Sequence, residues 1–235
     1  MTEAALSVAF FDPDRERYGM ARAGTTLLFQ GSRATAVPDG ARIAADGEGY
    51  RAELEGRLEL ALEPVTPPAD LRGARVRVCR VHGRAEGARV EGLGTVSETV
   101  RPPSFAELDA LRSLSVLVDE QTALLVLARR PRGARGHGEE RVVAWLVQGG
   151  ELVAVEDARL STVYDGDGRQ RSAGLELWLP GEDFPRRASG EVAAGSSLEL
   201  EDVRVHAAVF RWRLEGREGV GEYELVVREE RPAAA

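Results

Sequence analysis

The stretch VRVHAAVFRWRLEGREGVGE, Val203–Glu222, decides the fold. Its first twelve residues put Val203, Val205, Ala207 and Val209 on one parity and His206, Ala208, Phe210, Trp212 and Leu214 on the other. Alternation with period two is that of a strand, and a strand apolar on both faces must be covered on both. Arg141–Val147 has the same character, with Val142, Ala144 and Leu146 against Val143, Trp145 and Val147. Helix-period patterns are scarce in this chain, so the expected cover is a second sheet.

The end of that stretch has an earlier counterpart. Val81–Gly87 runs into Glu91-Gly92-Leu93-Gly94-Thr95, and Phe210–Gly216 runs into Glu218-Gly219-Val220-Gly221-Glu222. Each copy reads as a strand, a turn at Glu-Gly, then Glu-Gly-x-Gly opening a last strand. The first copy ends shortly before Arg101-Pro102-Pro103, which cannot continue a central strand. Duplication of a β unit of roughly a hundred residues follows, with units over 1–103 and 104–235.

Half-buried strands such as Leu58-Glu59-Leu60-Ala61-Leu62 fill both units, separated by turn material such as Asp165-Gly166-Asp167-Gly168. Ser104 and Glu107 form a capping box that predicts one short connecting helix over Ser104–Leu111. The expected class is all-β: two antiparallel barrels, or sandwich-like half-barrels, packed together.

Composition excludes several functions. The chain has 235 residues and a net charge of −8, too acidic to assemble a large phosphate-binding surface, so no nucleic-acid partner is expected. All 31 basic residues are Arg, which excludes Schiff-base lysine chemistry and a Walker A lysine. The single Cys79 permits neither an internal disulfide nor a thiol zinc cluster. No leader pattern and no apolar run of about 18 residues is present, so a cytoplasmic protein without a membrane span is expected.

Each candidate site competes with a structural role. Asp165, Asp167 and Glu176 have calcium-loop spacing, but Arg169 and Gln170 occupy places where a ligand and a glycine are needed, so a hairpin turn is expected. His82, His137 and His206 lack metal-ligand spacing, and no metal or cofactor is expected. No nucleophile motif marks a catalytic residue. The Gly-x-Gly pairs Gly92/Gly94 and Gly219/Gly221 lack a following helix and are expected to bend a strand at a barrel corner. Trp and Tyr combine a large apolar area with a polar handle, which suits a ligand wall as well as a barrel core, and Trp145, Trp178, His206, Phe210, Trp212 and Tyr223 are the candidate ligand-binding residues.

Phe10-Phe11-Asp12-Pro13-Asp14, Tyr18-Gly19-Met20-Ala21-Arg22 and Gly219-Val220-Gly221-Glu222-Tyr223-Glu224 resemble the tandem-lipocalin superfamily of carotenoid 1,2-hydratase (hydroxyneurosporene synthase) and its AttH-like relatives. The resemblance implies two lipocalin-like barrels in one chain and an apolar, isoprenoid-like ligand or substrate. No catalytic residue of that group matches a position here. The expected function is binding of a hydrophobic small molecule within a barrel or between the two. The alternatives are a hydratase, isomerase or cyclase using a buried carboxylate or His206 as acid, and a scaffold whose barrels are filled.

Overall fold

The computed structural model describes residues 5–135, 139–200 and 202–228. The first unit contains β1 (Ala5–Asp12), β2 (Arg17–Arg22), β3 (Thr25–Gln30), β4 (Arg33–Val37), β5 (Arg42–Asp46), β6 (Gly49–Leu54), β7 (Leu58–Pro64), β8 (Ala69–Asp70), β9 (Ala74–Ala85) and β10 (Ala88–Thr99). The second contains β11 (Leu108–Asp119), β12 (Thr122–Pro131), β13 (Arg141–Gln148), β14 (Glu151–Ala154), β15 (Asp157–Tyr164), β16 (Gln170–Trp178), β17 (Arg186–Leu200), β18 (Val203–Leu214) and β19 (Arg217–Arg228).

The strands form two curled antiparallel half-barrels with one topology. The orders are β4-β3-β2-β1-β10-β9-β7-β6-β5, with β8 alongside β9, and β14-β13-β12-β11-β19-β18-β17-β16-β15. In each, four strands meander outward, the chain crosses to the far edge, and the last strand returns to pair with the first. The two copies of the sequence repeat occupy equivalent hairpins, β9–β10 and β18–β19.

Local conformation explains the repeat. Both hairpins turn on two residues with positive φ, Glu86 (48°) and Gly87 (73°), then Glu215 (49°) and Gly216 (82°). This is the type I′ geometry whose twist matches that of the flanking strands. Nothing lies within 4 Å of a Cβ built on Gly87 or Gly216, so the requirement is purely one of backbone conformation. Gly87→Ala is expected to cost about 1 kcal/mol, measured as a lower urea midpoint at unchanged slope.

Three apolar clusters hold the molecule together. Phe10, Leu28, Leu60, Leu62 and Val81 fill the first half-barrel. Leu124, Leu146, Leu175, Phe210, Trp212 and Tyr223 fill the second. The third joins the sheets, packing Phe11, Met20, Leu27 and Val78 against Leu117, Leu125, Ala207, Val209 and Val220. The parities of Val203–Leu214 separate accordingly: Ala208, Phe210, Trp212 and Leu214 point into the half-barrel, whereas Ala207 and Val209 point into the seam.

The short connecting helix is not formed. Residues 105–107 make a single turn, closed by Glu107 N–H donating to the Ser104 carbonyl oxygen at 3.0 Å. Leu108–Leu111 instead begin β11, between β12 and β19. A helical nucleus fixes several residues for one hydrogen bond, and two neighbouring ladders outweigh it. A short helical piece does form elsewhere, a 3-10 turn at Pro13–Arg15 capped by Asp12, whose carboxylate accepts from Arg15 N at 3.2 Å. No helix among the described residues is long and apolar enough to cross a membrane.

Candidate functional site

Two spaces lie along the seam between the sheets among the described residues. The larger is a groove of about 1250 Å³ bounded by Phe11, Tyr18 and Leu93 from the first sheet and Leu117, Val192 and Trp212 from the second. Val163 and Val192, which also line it, leave 58% and 40% of their surface exposed. Exposed apolar residues clustered in one concavity differ from the scattered ones that ordinary surfaces tolerate.

Trp212 forms a wall of this groove through its neighbours in the sheet. Its cross-strand partners are Gly190 and Gly219. A Cβ on Gly190 would penetrate the indole ring, so that glycine lets the ring lie flat on β17. Phe210 stacks on Trp212 with centroids 5.2 Å apart, and Tyr223 lies 5.4 Å from Phe210. The indole N–H of Trp212 is buried without an acceptor among the described residues.

The smaller space is a cavity of about 100 Å³, further along the same strands. Leu117 and Val220 border the groove, whereas Ser115 and Glu222, two residues along β11 and β19, border the cavity. That spacing corresponds to about 7 Å of strand. Arg22, Glu222 and Glu224 are its charged residues, and Ser7, Thr95, Ser97, Ser113 and Ser115 supply hydroxyls. Arg22 and Glu224 form a salt bridge across the seam. Burial, reinforced by Glu224 and partly offset by Arg22, pushes the Glu222 carboxyl up to about 7.

The cavity's composition follows from the duplication. Aligning Gly94 with Gly221 sets Thr95 and Ser97 of β10 against Glu222 and Glu224 of β19. All four line the cavity. The first copy therefore builds its wall with hydroxyls, and the second builds the equivalent wall with carboxyls.

Other contacts also bridge the seam. Arg80 reaches Glu120 at 2.8 Å and Arg211 reaches Glu16 at 3.1 Å, both among exposed side chains. Such exposed pairs are screened by solvent and add little to the hold between the sheets. Trp145 donates its indole N–H to the Asp70 carbonyl oxygen at 2.9 Å, tying β13 to β8.

The six candidate ligand-binding residues do not converge. Phe210, Trp212 and Tyr223 stand together in the second half-barrel, and of these Trp212 borders the groove. Tyr223 packs inward, its hydroxyl 2.6 Å from Thr162 Oγ1. Trp145 belongs to the seam, and Trp178 lies under the Arg159 guanidinium, 4.7 Å from its ring centroid. His206 is 2.8 Å from Ser197 Oγ through Nδ1, in an open depression with Arg169 and Arg204. Burial, with those two arginines, lowers its proton affinity.

The remaining candidates have structural surroundings. Asp165 accepts from the backbone N–H of Asp167 and of Arg169, both at 2.9 Å, which shapes a turn. Cys79 is buried in the first half-barrel, where desolvation pushes its thiol up to about 12. His137 lies outside the described residues. Among the described residues no three His, Cys, Asp or Glu side chains converge as a metal cage requires. The Gly-x-Gly pairs mark close approach: a Cβ on Gly92, Gly94 or Gly221 would overlap the carbonyl oxygen of Phe11, Ala9 or Ser115. They let the last strand of each sheet lie against its first.

Sequence reasoning missed Glu222. Val220-Gly221-Glu222-Tyr223-Glu224 alternates as a half-exposed strand does, and that pattern alone singles out neither acid. The available signal was the comparison of copies, which pairs these carboxyls with the neutral Thr95 and Ser97.

No protein-family model matches the chain, and no curated protein matches it in sequence. Among solved structures, it is similar to an AttH candidate from Nitrosomonas europaea, with a TM-score of 0.66 and 11% identity. That similarity spans 96% of this chain and 93% of the other. A Nostoc punctiforme protein of unknown function from the DUF3598 family aligns at 11% identity over 97% of this chain and 94% of its own, with a TM-score of 0.17. The first likeness establishes an AttH-like, lipocalin-type fold spanning nearly the whole chain.

Proposed function

We propose that this protein binds an apolar, isoprenoid-like small molecule in the groove along the seam, between units comprising residues 1–103 and 104–235. One observation carries the reading: each half-barrel packs an apolar cluster of its own, while the two sheets bound an open space of about 1250 Å³ with exposed Val163 and Val192. Burying about 300 Å² of ligand at roughly 25 cal/mol per Å² contributes about 7 kcal/mol before ordering costs. Useful affinity then needs no special polar motif. The resemblance to the carotenoid 1,2-hydratase group supports the ligand class.

Native mass spectrometry of freshly purified protein should show an adduct of several hundred daltons. Retinol serves as a probe, read through quenching of tryptophan fluorescence. Val192→Asp places a charge on the exposed wall without disturbing a packed core. It should weaken retinol binding at least about tenfold at an unchanged melting temperature. Equal affinity of wild type and variant would rule the groove out.

A second reading is favoured by Glu222, a carboxyl whose proton affinity burial raises and which lies about 7 Å of strand from the groove. In a hydratase, isomerase or cyclase acting on an apolar substrate, this group would donate the first proton. Glu222→Gln should then leave retinol binding intact while abolishing conversion of an alkene substrate.

A further inference from the structure

The polar cavity is unbalanced in a way the fold does not require. It contains one guanidinium and two carboxyls, and every other lining residue is neutral. Arg22 projects from the first sheet, and Glu222 and Glu224 project from the second. Arg22 is committed to Glu224. Glu222 N–H donates to Ser115 Oγ at 3.1 Å, but among the described residues none of the lining hydroxyls is placed to donate to the Glu222 carboxyl. Because the first copy places Thr95 and Ser97 at the equivalent positions, the packing of this wall is compatible with neutral groups.

We propose that Arg22, Glu224 and Glu222 form a proton-operated latch between the sheets: a proton on Glu222 keeps the seam closed, and its loss loosens it. In the closed seam an ionised Glu222 would lie beside a second carboxylate on the same wall, with the cavity's one guanidinium already paired to that neighbour. The charged groups facing it are Glu224 on its own strand and Arg22 on β2. The other elements around the cavity, β1, β9, β10, β11 and β12, present only hydroxyl and apolar side chains.

The direction and size of the effect follow from linkage. The closed seam holds the Glu222 proton up to about pH 7, whereas a solvated carboxyl releases it near 4.5. The closed state is therefore favoured below pH 4.5, loses ground as pH rises, and changes no further well above 7. The open-to-closed ratio rises about 300-fold over the whole range, and about 30-fold between pH 5.5 and 8.

The test uses thiol labelling of the full chain. Ser113→Cys places a reporter on the seam, and native Cys79, enclosed in the first half-barrel, reports wider unfolding. Labelling rates are compared with and without Glu222→Gln at each pH, which cancels the pH dependence of the thiol itself. The rate with Glu222 intact, divided by the rate with Glu222→Gln, should rise about 30-fold at the seam thiol between pH 5.5 and 8. Glu224→Gln frees Arg22 for Glu222 and should remove most of that rise. A ratio independent of pH, or a seam thiol reacting no faster than Cys79, overturns the latch.

Discussion

Gly221→Ala should unfold the second half-barrel or cost it more than about 3 kcal/mol. The added methyl would overlap the Ser115 carbonyl oxygen and lie 2.6 Å from its carbon. These are backbone atoms of the neighbouring strand, which cannot swing aside as a side chain can. Relief requires β11 and β19 to part, and theirs is the pairing that joins the first and last strands of the sheet. Folded domains have only about 5–15 kcal/mol in reserve, so the loss is a large fraction of the total. Gly166→Ala is the control, since nothing lies within 4 Å of a Cβ there. Urea unfolding should show a large drop in midpoint for Gly221→Ala alone. Indistinguishable midpoints would mean that the close approach is not what the glycine provides.

Arg22→Met should be the most damaging side-chain substitution at the seam, costing about 1–3 kcal/mol at pH 8 because the pair is partly solvated. It preserves length and apolar contact while leaving two carboxyls in a cavity without a cation. The loss should shrink at pH 5, where Glu222 already carries its proton. The sign follows from the raised proton affinity of Glu222 in the folded state. Its contribution to stability is greatest below its ordinary 4.5 and is eroded as pH rises towards about 7. Wild type should therefore also lose stability over this range, less steeply than the variant. Urea midpoints at pH 5 and pH 8 for both proteins decide the matter, and equal losses at the two pH values would contradict it.

The fold was legible because its strongest signals are periodic. Val203–Leu214 announces two buried faces, and the structure gives one to a half-barrel interior and the other to the seam. The paired Glu-Gly turns were readable because two-residue hairpins demand particular conformations. Ser104–Leu111 misled because a capping box is a local signal, while the β11 ladders that override it come from residues 122–131 and 220–227. The site was harder to read. Trp212 acquires its place beside the groove from Gly190, twenty-two residues earlier, and Phe11 and Leu117 meet across the seam from separate units. Alternation within one strand does not specify which surfaces of two sheets will face each other. Phe210 and Tyr223 accordingly pack in the core of the second half-barrel, the structural role that competes with a ligand wall, and nothing in the strand's own alternation singles out Glu222.

Each half-barrel carries its own packed kernel, separate from the cluster that joins them. Substitutions in the joining cluster therefore act on the contact between the sheets, while each kernel keeps its own packing. Under the proposed function, exchanges confined to the groove's walls would change which ligand fits without rebuilding either kernel, and a protein engineer would graft new specificities there.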